Sequence, residues 1–363
     1  MLDGVRGIAV LAVIAVHAEL PVSGGYLGVD IFFVLSGFLI TALLLQEHAT
    51  SGWISLRSFF MRRALRLLPA LAAVLAVFTV LIFARYLLGA YTGDQFGQAF
   101  MSVGYGAGYV ANVIRAWGGA DAMAAPLGHL WSLAAEEQFY LVWPLTLLAL
   151  LALRARPKTL ARVLIAAICL VAAHRIQVLF GGPRVSRLFF GPDTHADPIL
   201  VGCLAGVAYT HGLVPRPFRS PLARPYICTA ACLVVWSMVM IGPPPFILFT
   251  VGLPIFEIAV AALILSLLFE PSLLIGRLLS TRPLVAVGRV SYGLYLWHPI
   301  VFLLVPIVSV WPAFALTVLV AFASYRFIEA PFLRRKRRYA DVQAAPKLGR
   351  QAARTATAPV TSS

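Results

Sequence analysis

The run Tyr26-Leu27-Gly28-Val29-Asp30-Ile31-Phe32-Phe33-Val34-Leu35-Ser36-Gly37-Phe38-Leu39-Ile40-Thr41-Ala42-Leu43-Leu44-Leu45-Gln46 contains one charged side chain, Asp30. Wound as an α-helix it reaches about 30 Å, the thickness of a bilayer's hydrocarbon core. Apolar segments of similar length recur at 4–22, 67–90, 129–152, 161–180, 197–213, 226–242, 246–269, 289–309 and 312–329. Composition agrees: 61% of the 363 residues are hydrophobic, 12% are charged and the mean hydropathy is +0.89, whereas soluble domains carry about 25% charged residues. The pattern predicts an all-α fold, a polytopic transmembrane helix bundle of about ten crossings, with residues 1–333 forming one membrane domain.

The net charge of +15 would suit nucleic acid if it were gathered on one soluble face. The basic residues instead occupy short loops between apolar spans, so no nucleic-acid partner is expected. Arg57, Arg62, Arg63 and Arg66 fall in one loop, and Arg154, Arg156, Lys158 and Arg162 in another. Arg216, Arg219 and Arg224 mark a third, Arg277 and Arg282 a fourth, and Arg334-Arg335-Lys336-Arg337-Arg338 follows the last span. The positive-inside rule puts all of them, and both termini, in the cytoplasm. The expected location is therefore the cytoplasmic (inner) cell membrane, with multiple passes.

Loops 47–66 and 153–162 share a side only if an even number of crossings separates them. Three apolar segments lie between, at 67–90, about 95–117 and 129–152. The middle one is rich in glycine and interrupted by Asn112 and Arg115, which predicts a re-entrant or interfacial segment covered by protein. Residues 334–363 read as a basic, disordered cytoplasmic tail. Cys169, Cys203, Cys228 and Cys232 all fall in apolar spans and read as small buried hydrophobes, not as a disulfide framework or metal site. No internal repeat stands out.

Ionisable groups inside apolar spans are costly and mark function more often than chance. Arg6 and His17 lie eleven residues apart on the first span, hence within about 20° of one another in azimuth and about 16 Å along the axis. One helix face thus carries a cation at its cytoplasmic mouth and an imidazole deeper in. The plain alternative makes Arg6 an orientation signal and His17 a core residue. Asp30, near the outer end of the second span, is placed to meet His17 across a short hairpin and hold its tautomer. Arg63 and Arg66 share a helical face suited to phosphate, although lipid headgroups would attract the same cluster.

The densest polar run is His129-Leu130-Trp131-Ser132-Leu133-Ala134-Ala135-Glu136-Glu137. His129, Ser132 and Glu136 fall on one face, whereas Glu137 points about 100° away, so the two carboxylates do not form a facing acid/base pair. A Ser132/His129 nucleophilic pair lacks any oxyanion motif beside it. Asp197 opens another span, where its plain role is a charge on the helix dipole. Ser291, Tyr295 and His298 line one face of Gly288–Pro299, and Pro331 is expected to stop the last helix.

Taken in chain order, Leu2–Gly7 with His17, Gly25–Thr41, Arg62–Pro69, His129–Pro144, Asp197–Gly202, Gly288–Pro299 and Phe327–Phe332 resemble the acyltransferase-3 family of integral membrane O-acyltransferases. The resemblance spans nearly the whole chain. It implies transfer of an acyl group, commonly acetyl, from acyl-CoA to a hydroxyl of a sugar, cell-envelope glycan or macrolide-type metabolite, with no tightly bound cofactor and no metal. It assigns Arg6 and His17 to the catalytic helix and Arg63 with Arg66 to an essential cytoplasmic motif, and Arg6, Arg62, Arg63 and Arg66 are candidates for holding the phosphates of acyl-CoA. His17 then acts as general base, or briefly takes the acyl group, with Asp30, Glu136 and Glu137 as further catalytic candidates. His129, Ser132, Tyr292 and His298 are candidates for holding substrate. Ala330 departs from the family, many of whose members carry Arg before that proline. Two other classes fit the same polar residues: a transporter or flippase with an intramembrane proton relay, and an assembly scaffold indifferent to His17.

Overall fold

The computed structural model describes residues 1–182, 185–305 and 310–336, and among them every regular element is a helix. The principal ones are α1 (Leu2–His17), α2 (Gly28–Ser51), α3 (Leu56–Leu87), α4 (Gly93–Ala107), α5 (Ala111–Gly118), α6 (Trp131–Ala152), α7 (Pro157–Phe180) and α8 (Val185–Phe190). They continue as α9 (Asp197–Thr210), α10 (Ala223–Ile241), α11 (Leu253–Phe269), α12 (Arg282–Arg289), α13 (Ser291–Leu304), α14 (Val310–Ser324) and α15 (Ala330–Lys336). Local chemistry sets several ends. Gly52, at φ 77°, closes α2, because a left-handed residue there costs glycine nothing. Ser55 caps α3, and Thr92 with Gln95 forms a capping box on α4.

Within the described residues, each apolar segment read from the sequence carries helix. Among the described residues six helical stretches are long and apolar enough to cross a membrane: Gly25–Ser51, Leu56–Leu87, Pro157–Phe180, Ala223–Ile241, Pro245–Phe269 and Trp311–Arg335. Helices α1, with 16 residues, and α9 and α13, with 14 each, are shorter than the roughly 20 residues of a full span. Their polar ends replace apolar turns at Asp197 and at Ser291. The chain is a multi-pass membrane protein whose outer surface presents large apolar side chains such as Leu87, Leu170 and Trp236, which suits hydrocarbon rather than water.

The weak segment at 95–117 is two helices, not one. Gly108 ends α4, Tyr109 adopts φ 52°, and α5 restarts at Ala111. Nor does Pro331 stop the final helix. A π-helical turn at Tyr325–Glu329 precedes it, and the widened ladder there leaves a place for a residue without N–H, so α15 continues through Arg334 and Arg335 to Lys336. The rest of the expected tail, residues 337–363, lies outside the described residues. Cys203 and Cys228 are buried as expected, but Cys169 is exposed on the bundle's outer face.

Helix α2 is the hub. It packs along α9 through reciprocal glycines, because a Cβ on Gly202 would stand 2.1 Å from the Val34 carbonyl oxygen and one on Gly37 2.0 Å from that of Ile199. Small residues permit this backbone approach, the main source of helix association in lipid. Gly202→Ala is therefore expected to cost at least about 1–3 kcal/mol, read as a lower Tm in detergent; an unchanged Tm would show that the two helices separate freely.

Candidate active site

Helices α1, α2, α3, α6 and α13 converge on a partly open cleft. Arg6 enters from α1, Arg63 and Arg66 from α3, Ser36 from α2, Ser132, Glu136 and Tyr140 from α6, and Ser291, Tyr292 and Tyr295 from α13. Helical spacing explains the convergence, since residues three or four apart share a face. Arg63–Arg66, Ser132–Glu136–Tyr140 and Ser291–Tyr295 are such sets.

The cleft is electropositive. Three guanidinium groups face one carboxylate, and among the described residues none of the three makes an ion pair. Arg63 lies 4.2 Å from the centroid of the Tyr140 ring, a cation–π contact that holds it without neutralising it. The Tyr140 hydroxyl in turn donates to Glu136 Oε1 at 2.9 Å, and Ser36 Oγ donates to the same oxygen. Glu136 is thereby fixed by two hydroxyls, leaving the arginines free to bind an anion through charge-assisted hydrogen bonds.

Ser132 and Tyr295 form the inner wall. Tyr295 donates its phenolic proton to the His129 carbonyl at 2.8 Å, and its oxygen lies 2.6 Å from Ser132 Oγ. Three imidazoles gather beside that wall. The His129 ring centroid is 5.2 Å from Tyr295 and 5.5 Å from His298, and His298 Nε2 is 3.1 Å from His17 Nδ1. His298 is 0% exposed, whereas His17, the last residue of α1, is exposed. Arg6 in the cleft and His17 in the imidazole group thus lie on one helix, as their spacing predicts. Neither ring nitrogen of His129 has a partner among the described residues. Ser132 meets the His129 carbonyl and Tyr295, not the His129 imidazole, so no nucleophilic pair forms there.

Asp30 does not reach His17. The link between α1 and α2 folds back along α1, so that Gly28 abuts the Ala9 carbonyl, about 12 Å below His17 on the helix rise. Asp30 Oδ1 instead lies 2.7 Å from His195 Nε2, and both side chains are buried. Neither Arg62 nor Glu137 lines the cleft: Arg62 is 3.6 Å from Glu47, and Glu137 turns away from Glu136, one of its oxygens buried without a partner among the described residues. Tyr292 borders the cleft while donating to the Leu67 carbonyl at 2.8 Å, which ties α13 to α3.

A second polar centre was not foreseen. Arg175 of α7, 0% exposed, reaches Asp197 and donates to the Thr194 and Phe249 carbonyls at 3.1 and 3.0 Å. Glu257 of α11 is fully buried, and neither of its carboxylate oxygens has a partner among the described residues. Both charges sit within apolar spans and carry the signal that singles out His17. The His195 ring of the Asp30 pair stacks on Trp131, 6.0 Å between centroids, one residue before Ser132. Arg115, in the cap formed by α5 and α8, bonds the Gly128 carbonyl at 2.7 Å and lies 4.0 Å over Phe190.

The multi-pass helical bundle thus holds a cleft lined by three arginines, with clustered imidazoles beside its Ser132–Tyr295 wall. The chain belongs to the acyltransferase-3 family, whose model, described as an acyltransferase domain, matches residues 1–326. It is similar to the peptidoglycan O-acetyltransferase OatA of Listeria monocytogenes, 33% identical over 351 residues, covering 91% of this chain and 55% of that protein. It is also similar to the O-acetyltransferase OatA of Staphylococcus aureus, 33% identical over 378 residues, covering 98% of this chain and 60% of that protein. The chain therefore spans little more than half the length of these relatives. No solved structure matches it.

Proposed function

We propose that this chain is an integral membrane O-acyltransferase that moves an acyl group, acetyl in the simplest case, from acyl-CoA to a hydroxyl of a cell-envelope glycan. The observation that carries this reading is the cleft itself, with Arg6, Arg63 and Arg66 at one end and His17 beside its inner wall. Positive-inside sorting puts the arginine end and both termini in the cytoplasm of the inner membrane, with about ten crossings. The arginines hold the donor's phosphates, and the pantetheine arm runs along α1 and α13 towards the Ser132–Tyr295 wall. His17 takes the proton from the acceptor hydroxyl as its oxygen attacks the thioester carbonyl. The carbon–sulfur bond then breaks, and the leaving thiolate of CoA takes that proton from His17, which regenerates the base. The peptidoglycan and O-acetyl transfer in the relatives' names support a glycan acceptor.

The test is acyl-CoA consumption by purified protein in liposomes supplied with glycan fragments. Arg66→Ala is expected to raise the donor KM by about 10- to 100-fold, the loss of one charge-assisted contact of about 1.5–3 kcal/mol, with kcat less affected. A donor affinity equal to wild type in both Arg66→Ala and Arg6→Ala would remove the assignment of this cleft to CoA. Substrate crossing the membrane with no acyl-CoA consumed would favour a transporter, for which the buried Asp30–His195 and Arg175–Asp197 pairs would serve as a relay.

A further inference from the structure

The imidazole pair has a direction written into it. His298 Nδ1 lies 3.1 Å from the Leu294 carbonyl oxygen, one turn back on α13. A carbonyl can only accept, so the proton of that bond resides on His298 Nδ1. Among the described residues no carboxylate contacts His298, which is 0% exposed, so nothing there compensates a second proton and a full charge. His298 Nε2 is then a lone pair, and it lies 3.1 Å from His17 Nδ1. The only polarity that satisfies this contact has His17 Nδ1–H donating to His298 Nε2. The remaining nitrogen of His17, Nε2, is left bare, on a ring that is exposed at the end of its helix.

We propose that His298 is a positioning residue: the chain Leu294 carbonyl–His298–His17 fixes His17 in its Nδ1–H tautomer and presents Nε2 as the basic nitrogen. An orienting acceptor behind a basic imidazole is a general device, here supplied by a neutral imidazole and a backbone carbonyl because the expected carboxylate, Asp30, is held by His195. As His17 Nε2 takes the acceptor's proton, positive charge on His17 strengthens its bond to His298 Nε2, and no proton needs to leave the pair. The role of this pair in turnover rests on the acyl-transfer reading above; its tautomeric order does not.

Two readouts separate them. Solid-state NMR of protein in liposomes, with heavy nitrogen in its seven histidines and the His17 signals assigned by difference against His17→Asn, reports which ring nitrogen bears hydrogen. Wild type is expected to show His17 protonated at Nδ1 and bare at Nε2. His298→Met is expected to give a mixture of tautomers at His17, whereas His298→Gln, whose amide oxygen can accept the same bond, restores Nδ1–H. In turnover, His298→Met is expected to lower kcat by about 10- to 100-fold, the usual effect of removing a partner that orients a functional imidazole, with little change in donor KM. His298→Gln is expected to recover part of that loss. A wild-type His17 found protonated at Nε2, or an unaltered tautomer in His298→Met, overturns the proposal whatever the activity. Full activity in His17→Ala would instead overturn the acyl-transfer role of His17 and leave the tautomer result standing.

Discussion

His17→Ala is expected to lower acyl-CoA turnover by about 10²–10⁴-fold, the usual contribution of a positioned general base. Donor KM should change little, because Arg6 stands about 16 Å away along α1 and Arg63 and Arg66 lie on another helix. The geometry supports this separation of roles. Arg6 lines the cleft and His17 meets His298 at the other end of the same helix, so removing the imidazole leaves the anion site intact. Folding should also survive, since His17 is exposed and is the last residue of its helix. The measurement is the initial rate of CoA release in liposomes at saturating donor, with Tm recorded beside it. Turnover equal to wild type, at equal Tm, would leave His17 with no chemical role.

Arg175→Met is expected to have the largest effect on stability, a loss of about 3–5 kcal/mol. The methionine fills a similar volume but leaves Asp197 without its cation, and the Thr194 and Phe249 carbonyls without their donors. Glu257, also buried with no partner among the described residues, gains nothing to offset it. Asp197→Asn in the same chain should recover part of the loss, because it removes the uncompensated charge while keeping the shape. The check is Tm and folded yield in detergent for both variants. An Arg175→Met protein as stable as wild type would mean that water, not Arg175, satisfies that centre. Because the α9 entrance bearing Asp197 packs against α2, some loss of activity is expected to accompany the loss of stability.

Much of the site was legible along the chain because helical spacing maps directly onto faces. Arg63 with Arg66, Ser132 with Glu136, and Ser291 with Tyr295 each reach the cleft together, as intervals of three and four residues require. Arg6 and His17 are likewise connected by one helix and need no tertiary information. Arg175 and Glu257 were legible in principle, since each is a charge inside an apolar span, but neither belongs to a dense polar motif. The partner of Asp30 was not legible. It depended on how far the link after α1 folds back before α2 begins, and ten loop residues carry no periodicity from which to read that.

The opening run at 26–46 shows the same division. Its length and near absence of charge determined that it would be a membrane-crossing helix, because lipid leaves the backbone no alternative that satisfies its polar groups. Composition, the recurrence of such runs and the placement of Arg6, Arg63 and Arg66 were equally one-dimensional facts. Only the tertiary structure decided what the polar residues on those helices touch. It gave Asp30 to His195, Ser36 to Glu136 and His17 to His298. Pairings between helices depend on axial offset and rotation, which are set by close contacts such as Gly37 on Ile199 and leave no periodic trace in either helix alone.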